Sequence, residues 1–208
     1  MGVSERRERE RQARRDAVLT AARSVLLERG MRNTTTKEIA ERCELSEATL
    51  FFYFKNKDEI LLSLIFESID FWKAGLTRLG KADLDPERLL DEIWKFHEKV
   101  YLEHPTYFVI SASLAQPQML ENVSDEVKND IAIRSGENFR RLASLLERVS
   151  ATAPGRILAD TIWSLFLGLT LSNAARANLG HGQAETGVRI RAHALEVLKT
   201  GLFAGKVP

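Results

Sequence analysis

Residues 34–54, TTTKEIAERCELSEATLFFYF, decide how this chain folds. Ile39, Ala40 and Cys43 recur at helical spacing, and Leu50 repeats the pattern after a break at Leu45 and Ser46. Two short helices are expected, over 37–43 capped by Thr36 and over 47–54 capped by Ser46, with a turn of about three residues between them. Ile39, Ala40 and Cys43 then face inward, Leu45 plugs the turn, and the small Ala40 lets the two backbones approach. This is the layout of a helix-turn-helix, and equally of an αα-hairpin in a helical bundle. The run Phe51, Phe52, Tyr53, Phe54 adds a choice of its own, between a strand or unusually buried helix and a helix whose outer face is an aromatic and basic contact surface. Helical neighbours step by about 100°, so four aromatics in a row sweep most of the cylinder and some must meet solvent or a partner.

Working outward, nearly every segment has helical periodicity and none sustains a two-residue alternation, so the fold class is all-α. Upstream, Val18, Ala21, Ala22, Val25 and Leu26 form one stripe that Gly30 ends. Downstream, Asn56 and Glu59 resemble a capping box before the stripe Ile60, Leu61, Leu64, Ile65, Ile69, in a helix that runs past Trp72. Pro86 after Asp85 opens a helix to about Glu103, Pro105 opens another that Pro117 ends or kinks, and Ser124-Asp125-Glu126 starts one reaching Ser150. An apolar helix follows Pro154 to about Leu179, and a last one covers 185–202 after the turn at 180–182.

The 208 residues are 44% hydrophobic, enough for a sizeable core. Lys+Arg 30 against Asp+Glu 29 excludes bulk-charge coating of nucleic acid or membrane, but the balance is uneven. Residues 1–57 hold 13 Lys/Arg against 9 Asp/Glu, and residues 58–208 hold 17 against 20. The single Cys43 excludes an internal disulfide and suits a reducing cytoplasm. The charged first residues lack the apolar run of a secretion signal. The apolar run 157–171 falls short of the roughly 20 residues a bilayer needs and carries Asp160, so it reads as a buried helix and no membrane partner is expected.

The segment 14–62 resembles the TetR (tetracycline-repressor) family of transcriptional regulators. The matching residues are the Gly30 turn, Thr34-Thr35-Thr36, Ile39-Ala40, Leu45-Ser46, Ala48-Thr49-Leu50, the aromatics to Phe54, and Lys55-Asn56-Lys57-Asp58-Glu59. The resemblance implies an N-terminal three-helix DNA-binding domain over 1–57, a larger helical effector-binding and dimerisation domain over 58–208, and a homodimer built mainly from the last two helices. It implies repression of transcription from a double-stranded DNA operator.

By the same resemblance Leu50 and Phe54 point inward, and Phe51 and Phe52 lie at or near the groove and backbone. Thr36, Tyr53 and Lys57 meet phosphates, and Lys37, Glu47, Ala48, Thr49 and Phe51 read bases. For each the alternative is a solvated surface side chain. Two positions depart from the family's pattern: Glu44 stands where glycine is common, and Phe51 where tyrosine is frequent. The arm's six arginines, Arg6, Arg7, Arg9, Arg11, Arg14 and Arg15, face Glu5, Glu8, Glu10 and Asp16. The arm either reaches a phosphate or the minor groove or forms a solvated helix with Glu/Arg pairs.

In the larger domain, Leu158, Ile162, Leu165 and Leu169 form one stripe, with Trp163, Phe166 and Leu167 on other sides and Gly168 permitting close approach. With Val188, Ala192, Leu195 and Leu202 of the last helix they are candidates for a four-helix dimer interface, the alternative being a monomeric core. A two-fold dimer would demand a palindromic operator. Candidate pocket residues for an unidentified, largely apolar small molecule are Trp94, His97, Tyr101, Phe108, Phe139, Trp163, Phe166 and Asn173, with His97 or Asn173 as polar handle. Packing in the core is their other reading.

No cofactor, metal site or catalytic residue is expected: the histidines His97, His104, His181 and His193 form no recognisable ligand spacing beyond His97 and His104 seven apart, and no Gly-rich phosphate loop occurs. The rivals to a sequence-specific regulator are a non-specific architectural DNA binder, a helical protein-interaction module and, last, an enzyme.

Overall fold

The computed structural model describes residues 3–114, 120–121, 123–150, 153–180 and 184–203. Among these are nine helices: α1 (Val3–Asn33), α2 (Thr36–Arg42), α3 (Glu47–Tyr53), α4 (Lys57–Gly80), α5 (Pro86–Glu103), α6 (Pro105–Ser113), α7 (Asp125–Val149), α8 (Gly155–Asn178) and α9 (Ala184–Phe203). The described residues contain no strand, and the chain is all-α. Pro117, His181 and Gly182 lie outside the described residues.

In α1 the helical path breaks at Gly30, whose φ of 72° lies in the left-handed region that a residue without Cβ enters freely. Upstream the charged arm is helical from Val3, with Arg6 donating to Glu10 at 2.8 Å and Gln12 to Asp16 at 2.9 Å. Arg15 is not a free cation of that arm. Its guanidinium lies 4.1 Å from the centroid of the Phe54 ring and donates to the Tyr53 carbonyl, tying α1 to the end of α3.

The cap of α2 corrects the sequence reading. Thr35, not Thr36, is the N-cap, with extended backbone and a hydroxyl that accepts from the Glu38 N–H. Three consecutive threonines leave the cap ambiguous by one residue, and the donor three positions on decides it. The turn to α3 is a Schellman motif: the Leu45 N–H donates to Ala40 O at 2.9 Å and the Glu44 N–H to Glu41 O at 3.2 Å. The residue in the left-handed region there is Glu44, φ 56°, the one non-glycine with positive φ among the described residues. Ser46 caps α3 and Asn56 caps α4, as expected. Glu59, however, reaches back to the Lys55 N–H at 2.6 Å and not to the cap residue's own N–H as a capping box would.

Two apolar clusters organise the molecule. In the first, Val18, Ala22, Val25 and Leu26 of α1 pack against Ile39, Ala40, Leu50 and Phe54. Ile60, Leu64, Ile65 and Ile69 from the first half of α4 close it. In the second, Trp72, Leu76 and Leu79 from the second half of α4 join the inner faces of α5, α6, α7 and α8. One continuous helix of 24 residues therefore carries both cores. Close helix approaches in the second cluster need glycine: a Cβ on Gly75 would sit 2.1 Å from the Phe96 ring, and one on Gly155 2.2 Å from the Ala143 carbonyl oxygen.

α8 spans the range expected of it, but its segment 155–177, longer than the apolar run 157–171, is by length and composition alone long and apolar enough to cross a membrane, with 28% of its apolar window buried. The stripe expected at a dimer interface faces inward: Leu158, Ile162 and Leu169 are buried in the chain's own core, and Leu165 packs against it. The face left open carries Ile157, Thr161, Ser164, Gly168, Leu171 and Ala175, a four-three repeat along one side of the helix. A Cβ on Gly168 would meet nothing within 4 Å. On α9, Val188 and Ala192 are exposed, whereas Leu195 and Leu202 pack partly against the core. α9 is fastened to α5 by the buried Arg191, which donates to Glu98 at 2.9 Å.

Candidate functional site

The α2–α3 unit presents one unpacked face. Leu50 and Phe54 have 0% and 1% exposure, while Phe51 is 45% and Phe52 74% exposed, so the aromatic run splits between core and solvent within a single helix. Tyr53 is half-buried and meets Phe52 edge-on at 5.2 Å. Lys37, Glu47, Ala48 and Thr49 are all exposed. An aromatic of Phe52's size left three-quarters in water is a cost unless a partner covers it.

Several polar groups on this face are held by neighbours. Thr36 donates to the Glu47 carboxylate at 2.8 Å, joining the first residue of α2 to the first of α3. The hydroxyls of Ser46 and Thr49 share a hydrogen bond at 2.8 Å, which fixes the Thr49 side chain at the start of α3. Lys57 donates to the Thr34 carbonyl at 3.1 Å, so its ammonium is anchored beside α2 with two further protons to offer. Cys43 is turned inward, its thiol 3.1 Å from Ile39 O, and burial pushes its pKa up.

A second site is a cavity of about 70 Å³ between α4, α5, α6, α7 and α8, lined in part by Ile69, Trp72, His97, Asn138, Phe139 and Trp163. His97, Phe139 and Trp163 are the sequence-predicted pocket residues that line it. Trp94, Phe108 and Phe166 do not: they fill the core beyond His97, where Phe166 lies 5.2 Å from Trp94, 6.0 Å from Phe108 and 5.5 Å from the His97 ring. Tyr101 and Asn173 bond to each other, with the Arg191 guanidinium 4.9 Å from the Tyr101 ring centroid, and they too stand outside the lining.

His97 is fully buried, and its Nδ1 lies 2.8 Å from the Ile93 carbonyl oxygen. Burial pushes its pKa down to about 4, so the ring is neutral at pH 7. A carbonyl only accepts, which places the ring proton on Nδ1 and a lone pair on Nε2. Among the described residues no group of three or more His, Cys, Asp or Glu is placed to hold a metal ion.

Residues 18–64, the segment that builds the first core and the unpacked face, match the family model of bacterial regulatory proteins of the tetR family. That segment is of the TetR family. The chain is 34% identical over 110 residues to the uncharacterised HTH-type transcriptional regulator YvkB of Bacillus subtilis, an alignment spanning 53% of this chain and 56% of that relative's length. It is 23% identical over 133 residues to the HTH-type transcriptional regulator RutR of Escherichia coli, covering 62% of each. Its fold is similar to that of the ketosteroid transcriptional regulator KstR2 of Mycobacterium tuberculosis, with a TM-score of 0.70 at 17% identity over 91% of this chain and 94% of that one. AibR, solved with isovaleryl coenzyme A and operator DNA, has a TM-score of 0.62 at 17% identity over 76% of this chain and 85% of its own.

The positions that sequence reasoning missed are the ones supplied from a distance. Trp72 and Asn138 line the cavity from α4 and α7. Both were visible as residues, Trp72 at the end of an apolar stripe and Asn138 as a lone amide in a helix. Nothing in the one-dimensional pattern brings them to the same space as His97.

Proposed function

We propose that this TetR-family chain acts as a homodimeric, sequence-specific transcriptional repressor that leaves a palindromic operator when a small, largely apolar molecule occupies the cavity. The observation that carries the reading is the two-sidedness of α3: Leu50 and the C-cap Phe54 hold the helix to the core while Ala48, Thr49, Phe51 and Phe52 are exposed on its outer side. In the groove Ala48, Thr49 and Phe51 offer methyl and ring contacts to thymine, Lys37 a donor to guanine, and Glu47 an acceptor for cytosine. Phe52 covers the sugar-phosphate edge, and Thr36, Tyr53 and Lys57 fix the register on phosphates.

The dimer is formed by the open faces of α8 and α9. The four-three repeat Ile157, Thr161, Ser164, Gly168, Leu171, Ala175 lets small residues bring two copies of α8 close together, and Val188 and Ala192 extend the contact. A partner on this face also accounts for a helix whose apolar character exceeds its burial in one chain. Residues 1–57 serve as the DNA-binding unit and 58–208 as the effector and dimer unit, with α4 beginning at the junction. Because α4 runs from the first core into the cavity wall, a ligand that favours one setting of α4 changes the distance between the two α3 helices.

The solved complex of AibR with an acyl coenzyme A and operator DNA, and a similar HTH-type repressor, NicS of Pseudomonas putida, 23% identical over 133 residues, support a ligand-responsive repressor. To test it, genomic fragments are retained on the purified protein at near-physiological salt and sequenced. A shared palindrome upstream of genes that are derepressed on deletion of this one is the expected result. Retention with no common motif contradicts it.

A further inference from the structure

The cavity wall is apolar apart from a few groups, and three of those groups have no hydrogen-bond partner among the described residues. Trp72 Nε1, His97 Nε2 and Asn138 Oδ1 are each buried without a hydrogen bond among the described residues. All three side chains line the same cavity, at 6%, 0% and 8% exposure. Their chemistry is fixed by what their other atoms do. Indole N–H can only donate. His97 spends its Nδ1 proton on Ile93 O, leaving Nε2 as an acceptor. Asn138 donates from Nδ2 to Ile69 O at 2.9 Å, leaving Oδ1 as an acceptor. These three atoms thus supply one open donor and two open acceptors, on a wall that also carries the hydroxyls of Ser68, Ser111 and Ser135. A buried polar group left unpaired is costly, so an occupant that pairs with them gains hydrogen bonds that the protein does not supply.

The same lining says what the occupant is not. None of its described residues is Lys, Arg, Asp or Glu, so a carboxylate or phosphate would enter without a counter-charge. A bare hydrocarbon would leave all three groups unpaired. The volume of about 70 Å³ is well below the 300 Å³ at which drug-sized sites begin, so the occupant is compact.

We infer that the cavity selects a compact, uncharged and mostly apolar molecule carrying a hydroxyl or similar N–H group, whose proton goes to His97 Nε2 or Asn138 Oδ1 and whose lone pair accepts from Trp72 Nε1. This rests on the cavity being the effector site proposed above, and it narrows the effector to neutral hydrogen-bond donors while excluding anions.

Three ring compounds of similar size test it by titration calorimetry on the full chain at neutral pH: phenol, which donates and accepts; anisole, which only accepts; and benzoate, which is charged. The expected result is that phenol binds at least about tenfold tighter than anisole and that benzoate gives no heat. Trp72→Phe keeps a ring in place but removes the N–H, and is expected to weaken phenol by about tenfold. Its thermal transition, measured alongside, confirms that the variant is folded, and the ligand series on the unaltered chain stands without it. Equal affinity for phenol and anisole, binding of benzoate, no binding at all, or a folded Trp72→Phe protein that binds phenol as before would each overturn the inference. Operator binding by the same sample is read separately: phenol bound without release of DNA upholds this ligand chemistry and overturns the effector role.

Discussion

Arg23 of α1 grips Glu67 of α4 with one guanidinium nitrogen shared between both carboxylate oxygens, at 2.5 Å and 2.6 Å, and Tyr107 of α6 donates to the same carboxylate at 3.2 Å. Burial, with the Glu67 charge beside it, pushes the Tyr107 hydroxyl up to about 12, so it remains a donor throughout the working range. One carboxylate thus joins α1 to α4 and α6. Glu67→Gln should lower stability by roughly 1–3 kcal/mol, since it strands a half-buried guanidinium. It should also loosen the link between cavity and operator. Denaturant unfolding and ligand-dependent operator release check both effects; a variant equal to the parent in both would show that the contact carries neither.

The turn between α2 and α3 places Glu44 where a Cβ crowds its own backbone. Glu44→Gly is therefore expected to stabilise the protein by about 1 kcal/mol with the Schellman bonds intact, and Glu44→Val to destabilise it. Removing the carboxylate should also strengthen DNA binding, by an amount that shrinks with added salt. A glycine variant less stable than the parent would contradict the account of this turn.

His97 gives stability a definite pH dependence. Its folded pKa of about 4 lies below the ordinary 6.5 of a histidine side chain. Between those values the unfolded chain takes up a proton that the folded chain refuses. The contribution is complete above pH 6.5, falls as pH drops through the window, and levels off near pH 4, for a total of roughly 3 kcal/mol. The difference in unfolding free energy between the parent and His97→Phe should change by about that amount between pH 7 and 4, because groups common to both cancel. A difference that stays constant with pH would mean that the ring is not buried neutral.

Leu171→Glu puts a charge in the open stripe of α8, and Ile157→Glu does the same one end further along. Each should shift the protein from dimer to monomer in sedimentation while leaving helical content unchanged, since neither side chain belongs to the chain's own core. Ile162→Glu should instead unfold the protein. A dimer that survives both surface changes would place the interface elsewhere.

Phe52→Ala should leave the thermal transition within the small range typical of surface changes, because the ring is 74% exposed, yet weaken operator binding about tenfold. Lys57→Ala should reduce the slope of affinity against salt by roughly one ion. Loss of folding in Phe52→Ala would show that the ring serves the core.

The α2–α3 unit was legible because its signals are local. Ser46 and Asn56 sit next to the helices they cap, and Leu50 and Phe54 declare the inner face by their spacing. Thr35 was misplaced by one position because any of three threonines fits the pattern, and only its bond to the Glu38 N–H chooses. α8 misled for a different reason: apolar residues surround it, so its pattern contains no inner side, and packing against α7 through Gly155 sets which stripe is buried. The cavity was legible only at His97, Phe139 and Trp163. Trp72 and Asn138 reach it through packing of helices far apart in sequence.

The most direct test of the regulator account is the affinity of the purified protein for its recovered operator and for a scrambled duplex of the same length and composition, across a range of salt. The account predicts a preference for the operator of about a thousandfold or more at physiological salt, with two protomers bound per palindrome and the preference lost when either half-site is altered. Similar affinities for the two duplexes, falling steeply together as salt rises, would contradict it and leave a protein that holds DNA by its backbone alone.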